Sequence, residues 1–375
     1  MANSLTESIL VIGSPSEWAD CRYASGFAAV DPMVYMRHGG RDYLVVPLLE
    51  LGRAKQESPR AKVYVPQELG IPKNRRRSVA DWALGLARKL RVRRVTVSPM
   101  FPAGVLRRLE QGGVRVRLAK APLFPKRAIK RAGEIEFLRE AQRAAVAAVR
   151  AAEKVLKESS IRRDGSLRWN RMPLTSEALR RVIDGSLLEH GCMARDTIVA
   201  GGSQAADPHD RGHGPLRAGE TIVLDIFPQH KTTGYWGDIT RTFVKGPASE
   251  QLRAMYRAVH AAQAKALGMV CAGVKVRSIH EAVQEVFDKA GFETSLRDGV
   301  ARGFFHGTGH GVGLEIHESP SVSPNDAVLR AGHVVTIEPG LYYPELGGIR
   351  IEDTVAVTKT GFEFLATCPK RFEIP

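Results

Sequence analysis

The sequence predicts an α+β chain of two domains, a smaller α/β domain over residues 1–125 followed by a larger α+β domain over 131–375. A chain of 375 residues exceeds what one ordinary hydrophobic core organises. Its first third alternates short β-branched runs with helical ones until Pro122 and Pro125 interrupt the pattern. Beyond the prolines, long helical stretches give way to strand-like runs that carry acidic residues.

In chain order, strands are expected at Ile9–Ile12, Met33–Met36, Tyr43–Val46, Lys62–Val65, Arg94–Val97 and Val114–Leu118. Gly39-Gly40 and Gly112-Gly113 supply turns between them. Ser78 caps a helix that reaches Leu90, and Pro102 opens one that ends near Glu110. Next, Ile135, Leu138, Ala145, Val149, Ala152 and Leu156 recur at spacings of three, four or seven, the stripe of a long amphipathic helix. Ser159–Pro173 reads as polar and irregular. Leu179–Glu189 is helical and is stopped by Gly191. Glu250–Val270 forms another long helix, and a capping box between Ser278 and Glu281 starts the next, which ends near Gly291. Strands are expected at Thr197–Ala200, Thr221–Ile226, Val334–Ile337 and Ile349–Ile351.

Composition narrows the class. With 43% hydrophobic and 25% charged residues the chain reads as a soluble globular protein. The opening Met1–Glu7 is polar, and neither a signal-peptide core nor an apolar run of membrane-spanning length is present, so a cytoplasmic location is expected. Cys21, Cys192, Cys271 and Cys368 lie far apart and form no CxxC, which argues against both a disulfide framework and a zinc–thiolate site. The net charge of +15 is concentrated in residues 51–130, where 21 Lys/Arg face 4 Asp/Glu, leaving −2 for the rest. Such a field attracts anions. The basic residues are scattered without an aromatic-rich motif, so a solvated surface is favoured over nucleic-acid binding. The densest run, Lys73–Arg77, is expected to be exposed between a strand and a helix.

The chemistry is carried by carboxylates set in apolar runs. Asp225 follows Thr221–Leu224, Glu338 follows Val334–Ile337, Glu352 follows Ile349–Ile351, and Asp238 opens Asp238–Phe243. A carboxylate buried without a partner is costly. Four of them in one domain, with few positive charges in the same runs, fit best around cations such as Mn, Co, Zn or Fe. Phe304–Glu318 adds His306, His310 and His317 amid four glycines, which let the backbone pack closely. Acids that hold two cations can activate a water between them, and nearby histidines can orient a substrate or move a proton. These residue types point to metal-assisted amide hydrolysis. HExxH is absent, which excludes a zincin, and the absence of a GxSxG elbow argues against an α/β-hydrolase.

Five segments, in order over roughly residues 195–355, resemble the creatinase, aminopeptidase P and prolidase family. They are Pro208-His209, Val223-Leu224-Asp225, Gly237–Thr242, His310–Glu318, and Thr336–Gly340 with Gly348–Asp353. The resemblance implies a pita-bread catalytic domain behind a creatinase-like N-terminal α/β domain. It implies a metallopeptidase that cleaves the Xaa-Pro bond of short peptides by a hydroxide bridging two divalent metal ions per subunit, Mn foremost and Co, Zn or Fe as alternatives. The implied ligands are Asp225, Asp238, His310, Glu338 and Glu352, with Asp238 and Glu352 bridging, Asp225 serving one metal and His310 and Glu338 the other. His209 and His317 become catalytic histidines, Glu338 also accepts a proton, and Arg350 orients substrate or balances charge. His213, four residues after His209, is a second substrate-binding candidate, although the Pro-His match favours His209. A proline-containing peptide and a second copy of the chain are the implied partners. The Asp225–Asp238 interval of 13 residues is two longer than the resemblance implies, so the hairpin through Gln229–Gly234 is expected to be enlarged.

The remaining candidates read as structural. His306 is taken as a neighbour in a glycine-rich turn, His190 and His333 as surface residues, Tyr235 and Trp236 as packing, and Arg241 as structural. The competing function is a non-catalytic pita-bread protein that binds a protein or nucleic-acid partner through its basic N-terminal domain. That reading predicts lost ligands, and all five are retained.

Overall fold

The computed structural model describes residues 8–75 and 78–375; Met1–Glu7, and Arg76 and Arg77 of the dense basic run, lie outside the described residues. The chain divides into two compact units, Met1–Arg127 and Ala128–Pro375.

In the first unit the period-two alternation of apolar residues builds a six-stranded mixed sheet. Its order is Ala61–Tyr64, Arg41–Val45, Met33–His38, Ser8–Gly13, Arg94–Val97 and Arg115–Leu118. Leu10, Ile12, Val34 and Met36 face one core with Trp82, Leu86 and Leu109, from helices Val79–Lys89 and Ala103–Gln111. Val11, Met33, Tyr35 and Leu44 face the other with Cys21 and Ala54. Those two come from helices Ala19–Ser25 and Leu51–Glu57, which sequence periodicity does not reveal. Each is only 7 residues long, too short to be helical without the sheet beneath it.

The second unit repeats one scheme twice. A four-stranded sheet runs Ile198–Gly201, Thr221–Ile226, Ile239–Lys245 and Glu373–Ile374, and shares a core with helices Ala132–Glu158 and Ser176–Glu189. A five-stranded sheet runs Glu318–Val322, Gly309–Gly311, Val334–Ile337, Asp353–Val357 and Phe362–Phe364; its core includes helices Glu250–Met269 and Val276–Lys289. The hairpin of Gly340–Tyr343 and Gly347–Arg350 supplies a further pair of strands to this unit.

Two local expectations are corrected. Ser159–Pro173 is not irregular; it folds as a small three-stranded sheet of Ser160–Ile161, Leu167–Trp169 and Met172–Pro173. The helix expected from Ser278 starts at Val276 with Lys275 as its cap residue, so Ser278 lies inside the first turn. Val276 and Ile279 are both fully buried, and this apolar anchorage sets the start where the polar signal does not. Within the connection between Asp225 and Asp238, Gln229–His230 pairs with Cys192–Met193. Cys21, Cys192 and Cys368 are buried free thiols, and Cys271 is half-buried.

Candidate metal centre

The same alternation that builds the two sheets aims four acids away from the apolar cores. Ile222, Leu224 and Ile226 enter the first core, so Asp225 shares the opposite face with Val223. Ile239 and Phe243 enter that core too, which turns Asp238 and Thr240 the other way. In the second sheet Val335 and Ile337 are core residues, leaving Thr336 and Glu338 opposite them. Ile349 and Ile351 are core residues as well, leaving Arg350 and Glu352. The strand pairing sets Asp225 directly across from Thr240.

These faces line a cavity of about 530 Å³ that contains Asp225, Asp238, His310, Glu338 and Glu352 together. His209, His317, His306, Arg350, Phe227, Phe305, Ile198 and Ile316 complete much of its wall. His310 Nε2 lies 3.2 Å from Glu338 Oε1 and 3.5 Å from Asp238 Oδ2. Asp238, His310 and Glu352 each bring one ligand atom within 4.8 Å of the others'.

The backbone is held at each position. Gln142 clamps Asp238, its amide donating to Asp238 O at 2.8 Å and its carbonyl accepting from Asp238 N at 2.8 Å. Thr354 adds a hydroxyl to the same carbonyl at 2.7 Å. Thr240 donates to Glu352 Oε2 at 2.8 Å, and Thr336 to Glu338 Oε1 at 3.1 Å. Arg241 is buried under the site; it donates to Glu352 O at 2.6 Å and pairs with Asp353 at 2.6 Å. Gly309 is required next to His310, since a Cβ there would meet Thr336 O at 1.9 Å and push the strand away.

The electrostatics fit a cationic occupant. Burial, then the charges of Glu352, Asp225 and Glu338, holds the Asp238 carboxyl well above the usual carboxylate range. Burial, then Glu338 and Asp225, does the same to Glu352. Burial also opposes the charge on Glu338, but the hydrogen bond and charge of His310 outweigh it and bring Glu338 down to about 2. Asp225 Oδ1 is buried without a hydrogen-bond partner. His310 donates its Nδ1 proton to Gly311 O at 3.1 Å, which orients the ring so that Nε2 faces the acids. An orphaned oxygen, two acids that resist ionising together and an oriented imidazole make a donor set suited to divalent cations.

The other sequence candidates fall on either side of this cavity. His317 packs edge-on against His310 with ring centroids 4.2 Å apart, and burial pushes its pKa down. His209 is exposed and lines the cavity, with its backbone held by Asp207 Oδ1 at 3.0 Å. His213 is exposed and is not among the lining residues. Arg350 is 3% exposed and its guanidinium is engaged by Asp225 at 2.7 Å, Tyr342 at 2.8 Å and Thr240 at 3.2 Å. His306 is no bystander: it lines the cavity and bonds the Tyr342 hydroxyl at 2.9 Å, completing a chain from Asp225 through Arg350 and Tyr342. Sequence reasoning passed over Tyr342 and Gln142, because no short-range signal ties either to residues some 100 positions away or to a turn histidine. Tyr235 packs on Phe137, and Trp236 donates to Leu314 O at 3.1 Å. His190 is exposed, whereas His333 is 6% exposed and so is not the surface residue expected.

Comparison with known proteins follows the same lines. Residues 136–359 match the model of metallopeptidase family M24. An Xaa-Pro dipeptidase of Pyrococcus horikoshii is 28% identical over 96% of this chain and 93% of its own length. A putative dipeptidase of Bacillus subtilis is 33% identical over 69% of this chain and 66% of its own. Among solved structures, the prolidase of Pyrococcus horikoshii superposes with a TM-score of 0.80 at 27% identity, covering 98% of this chain and 95% of that one. The architecture shared over this full length is the one expected from the sequence, a pita-bread catalytic domain preceded by an N-terminal domain.

Proposed function

The chain belongs to metallopeptidase family M24, and from that premise we propose that it hydrolyses the Xaa-Pro bond of short peptides with two divalent metal ions. The observation that carries this reading is the convergence of four carboxylates and His310 in one cavity. The Xaa-Pro dipeptidase among its relatives supports the bond specificity. Apolar walls from Ile198, Phe227, Phe305 and Ile316 suit a pyrrolidine ring.

Asp238 and Glu352 would bridge the ions, with Asp225 on one and His310 and Glu338 on the other. When bound, such ions polarise a carbonyl and make water acidic enough to attack near neutral pH. Glu338, whose carboxylate lines the same cavity, would accept the proton that the attacking water gives up. His317, kept neutral by burial, can donate a hydrogen bond to the substrate carbonyl from one ring nitrogen. His209 at the exposed edge of the cavity is placed to meet the peptide as it enters. Arg350 balances charge beside Asp225, with each of its three guanidinium nitrogens donating to Asp225, Tyr342 or Thr240. We assign the N-terminal domain of residues 1–125 to the family's extra domain and residues 131–375 to catalysis. Mn as the working metal, a homodimer and a cytoplasmic location complete the proposal; no helix among the described residues is long and apolar enough to cross a membrane.

The test is a panel of alanyl-proline, alanyl-prolyl-alanine and alanyl-alanine, each with Mn, Co, Zn or no added metal. A proline substrate should be preferred over the control by roughly 10–200-fold, and only with metal. Equal rates on all three peptides would refute the specificity. His317→Ala should reduce turnover by roughly 10²–10⁴-fold while the bound metal, counted by mass spectrometry, is unchanged. Loss of metal in this variant would instead make His317 a ligand.

A further inference from the structure

Lys130 and Glu318 form an ion pair of 2.5 Å that is all but sealed from solvent, their side chains 2% and 4% exposed. Both belong to the second compact unit, and neither is among the five candidate ligands. Glu318 directly follows His317 and opens the strand Glu318–Val322, where it pairs with Gly311. One end of the segment 310–318 is therefore the His310 strand and the other is Glu318. Between them the segment is tied down by Trp236, whose N–H donates to Gly313 O at 3.0 Å and whose indole donates to Leu314 O.

The Glu318 carboxylate lies against Gly313, where an added Cβ would stand 2.1 Å from Glu318 Oε1. Lys130 is fixed from its own side, with its N–H donating to Gly332 O at 2.7 Å immediately before the helix Ala132–Glu158. That helix also carries Gln142, the clamp on Asp238. His333 is buried close by and stays neutral at pH 7; burial, then the charges of Lys130 and Arg330, pushes its pKa to about 4.

A sealed ion pair is a poor source of stability compared with apolar residues of the same volume, yet it fixes the distance and direction between the two backbones it joins. Here those backbones are the approach to the helix that clamps Asp238 and the residue after His317. We propose that Lys130 and Glu318 are positioning residues that set the His317 ring over the reacting bond. The inference rests on the peptidase reading, in which His317 touches the substrate. A shift of about 1 Å in a catalytic group can cost a hundredfold in rate.

The experiment uses the full chain loaded with Mn and alanyl-prolyl-alanine as substrate, and compares Glu318→Gln, Lys130→Met and the double variant Lys130→Met/Glu318→Met. Lys130→Met leaves a buried carboxylate without its cation and should lower both Tm and kcat. The double variant should recover Tm, because an apolar pair replaces the ionic one, while kcat stays about a hundredfold low with KM and metal content unchanged. Glu318→Gln keeps the shape and a hydrogen bond to Lys130, and should retain more turnover than either. Recovery of kcat together with Tm in the double variant would overturn the proposal, since the pair would then be structural only. Full turnover by Glu318→Gln and Lys130→Met alike would overturn it too. Failure of the unsubstituted protein to cleave any proline peptide would instead sink the peptidase reading.

Discussion

Asp238→Asn and Glu352→Gln are each expected to lower kcat/KM by about a thousandfold or more and to empty at least one metal position. Both side chains are nearly sealed, at 4% and 2% exposed, and both are raised in pKa by burial and by their acidic neighbours. Cations that relieve this repulsion contribute several kcal/mol to the reaction, and each 1.36 kcal/mol is about tenfold in rate. Neither substitution removes the backbone clamps, because Gln142 and Thr354 hold the main chain of Asp238 and Thr240 O accepts from the N–H of Glu352. The variants should therefore fold. In the absence of metal they should even be more heat-stable than the parent, since one of a set of repelling buried acids has been neutralised. Turnover and metal content equal to the parent's would refute the bridging assignment.

Stripping the metal should abolish activity reversibly and lower Tm. If the cations bind only the folded chain, free metal at 1,000 times its dissociation constant adds about 4.1 kcal/mol to stability. The pH dependence of the stripped protein follows from the same acids. Asp238 and Glu352 have folded-state pKa values above their unfolded ones, so the folded chain holds protons that the unfolded chain has released. Their contribution is fully present below the unfolded carboxylate range and is lost as pH rises through the raised folded values. Glu338 runs the opposite way, but its contribution is lost only as pH falls towards about 2, outside that window. The Tm of metal-free protein should consequently decline as pH rises above roughly 4–5, and metal should remove much of the decline. Bound protons must leave before metal enters, so the apparent affinity should weaken as pH is lowered. A stripped protein with the Tm and activity of the parent would rule out a metal-dependent site.

Much of the site was legible because burial in strands has a period of two. A carboxylate that follows Ile337 or Ile351 falls on the face opposite the core, and nothing but geometry is needed to infer it. The helices Val79–Lys89 and Ala132–Glu158 were legible for the analogous reason, a stripe of apolar residues at helical spacing. Other features depend on contacts that sequence neighbours do not encode. His306 looks like a turn residue until Tyr342 and Arg350 arrive from a separate hairpin. His333 sits in a turn yet is buried beside Lys130, some 200 positions earlier. Ser278 and Glu281 carry a capping signature, but the apolar side of the helix decided its start. His213 shares type and segment with His209, and beyond the Pro-His match it is three-dimensional placement that separates the one that lines the cavity from the one that does not.

Asp225, Asp238, His310, Glu338 and Glu352 are proposed to hold a pair of cations. Diffraction from crystals of the Mn-loaded protein, collected for anomalous signal, tests it most directly. Two anomalous peaks among these five side chains, with Asp238 and Glu352 reaching both, are the result expected. A single peak, or manganese bound elsewhere while the acids stay bare, would contradict it.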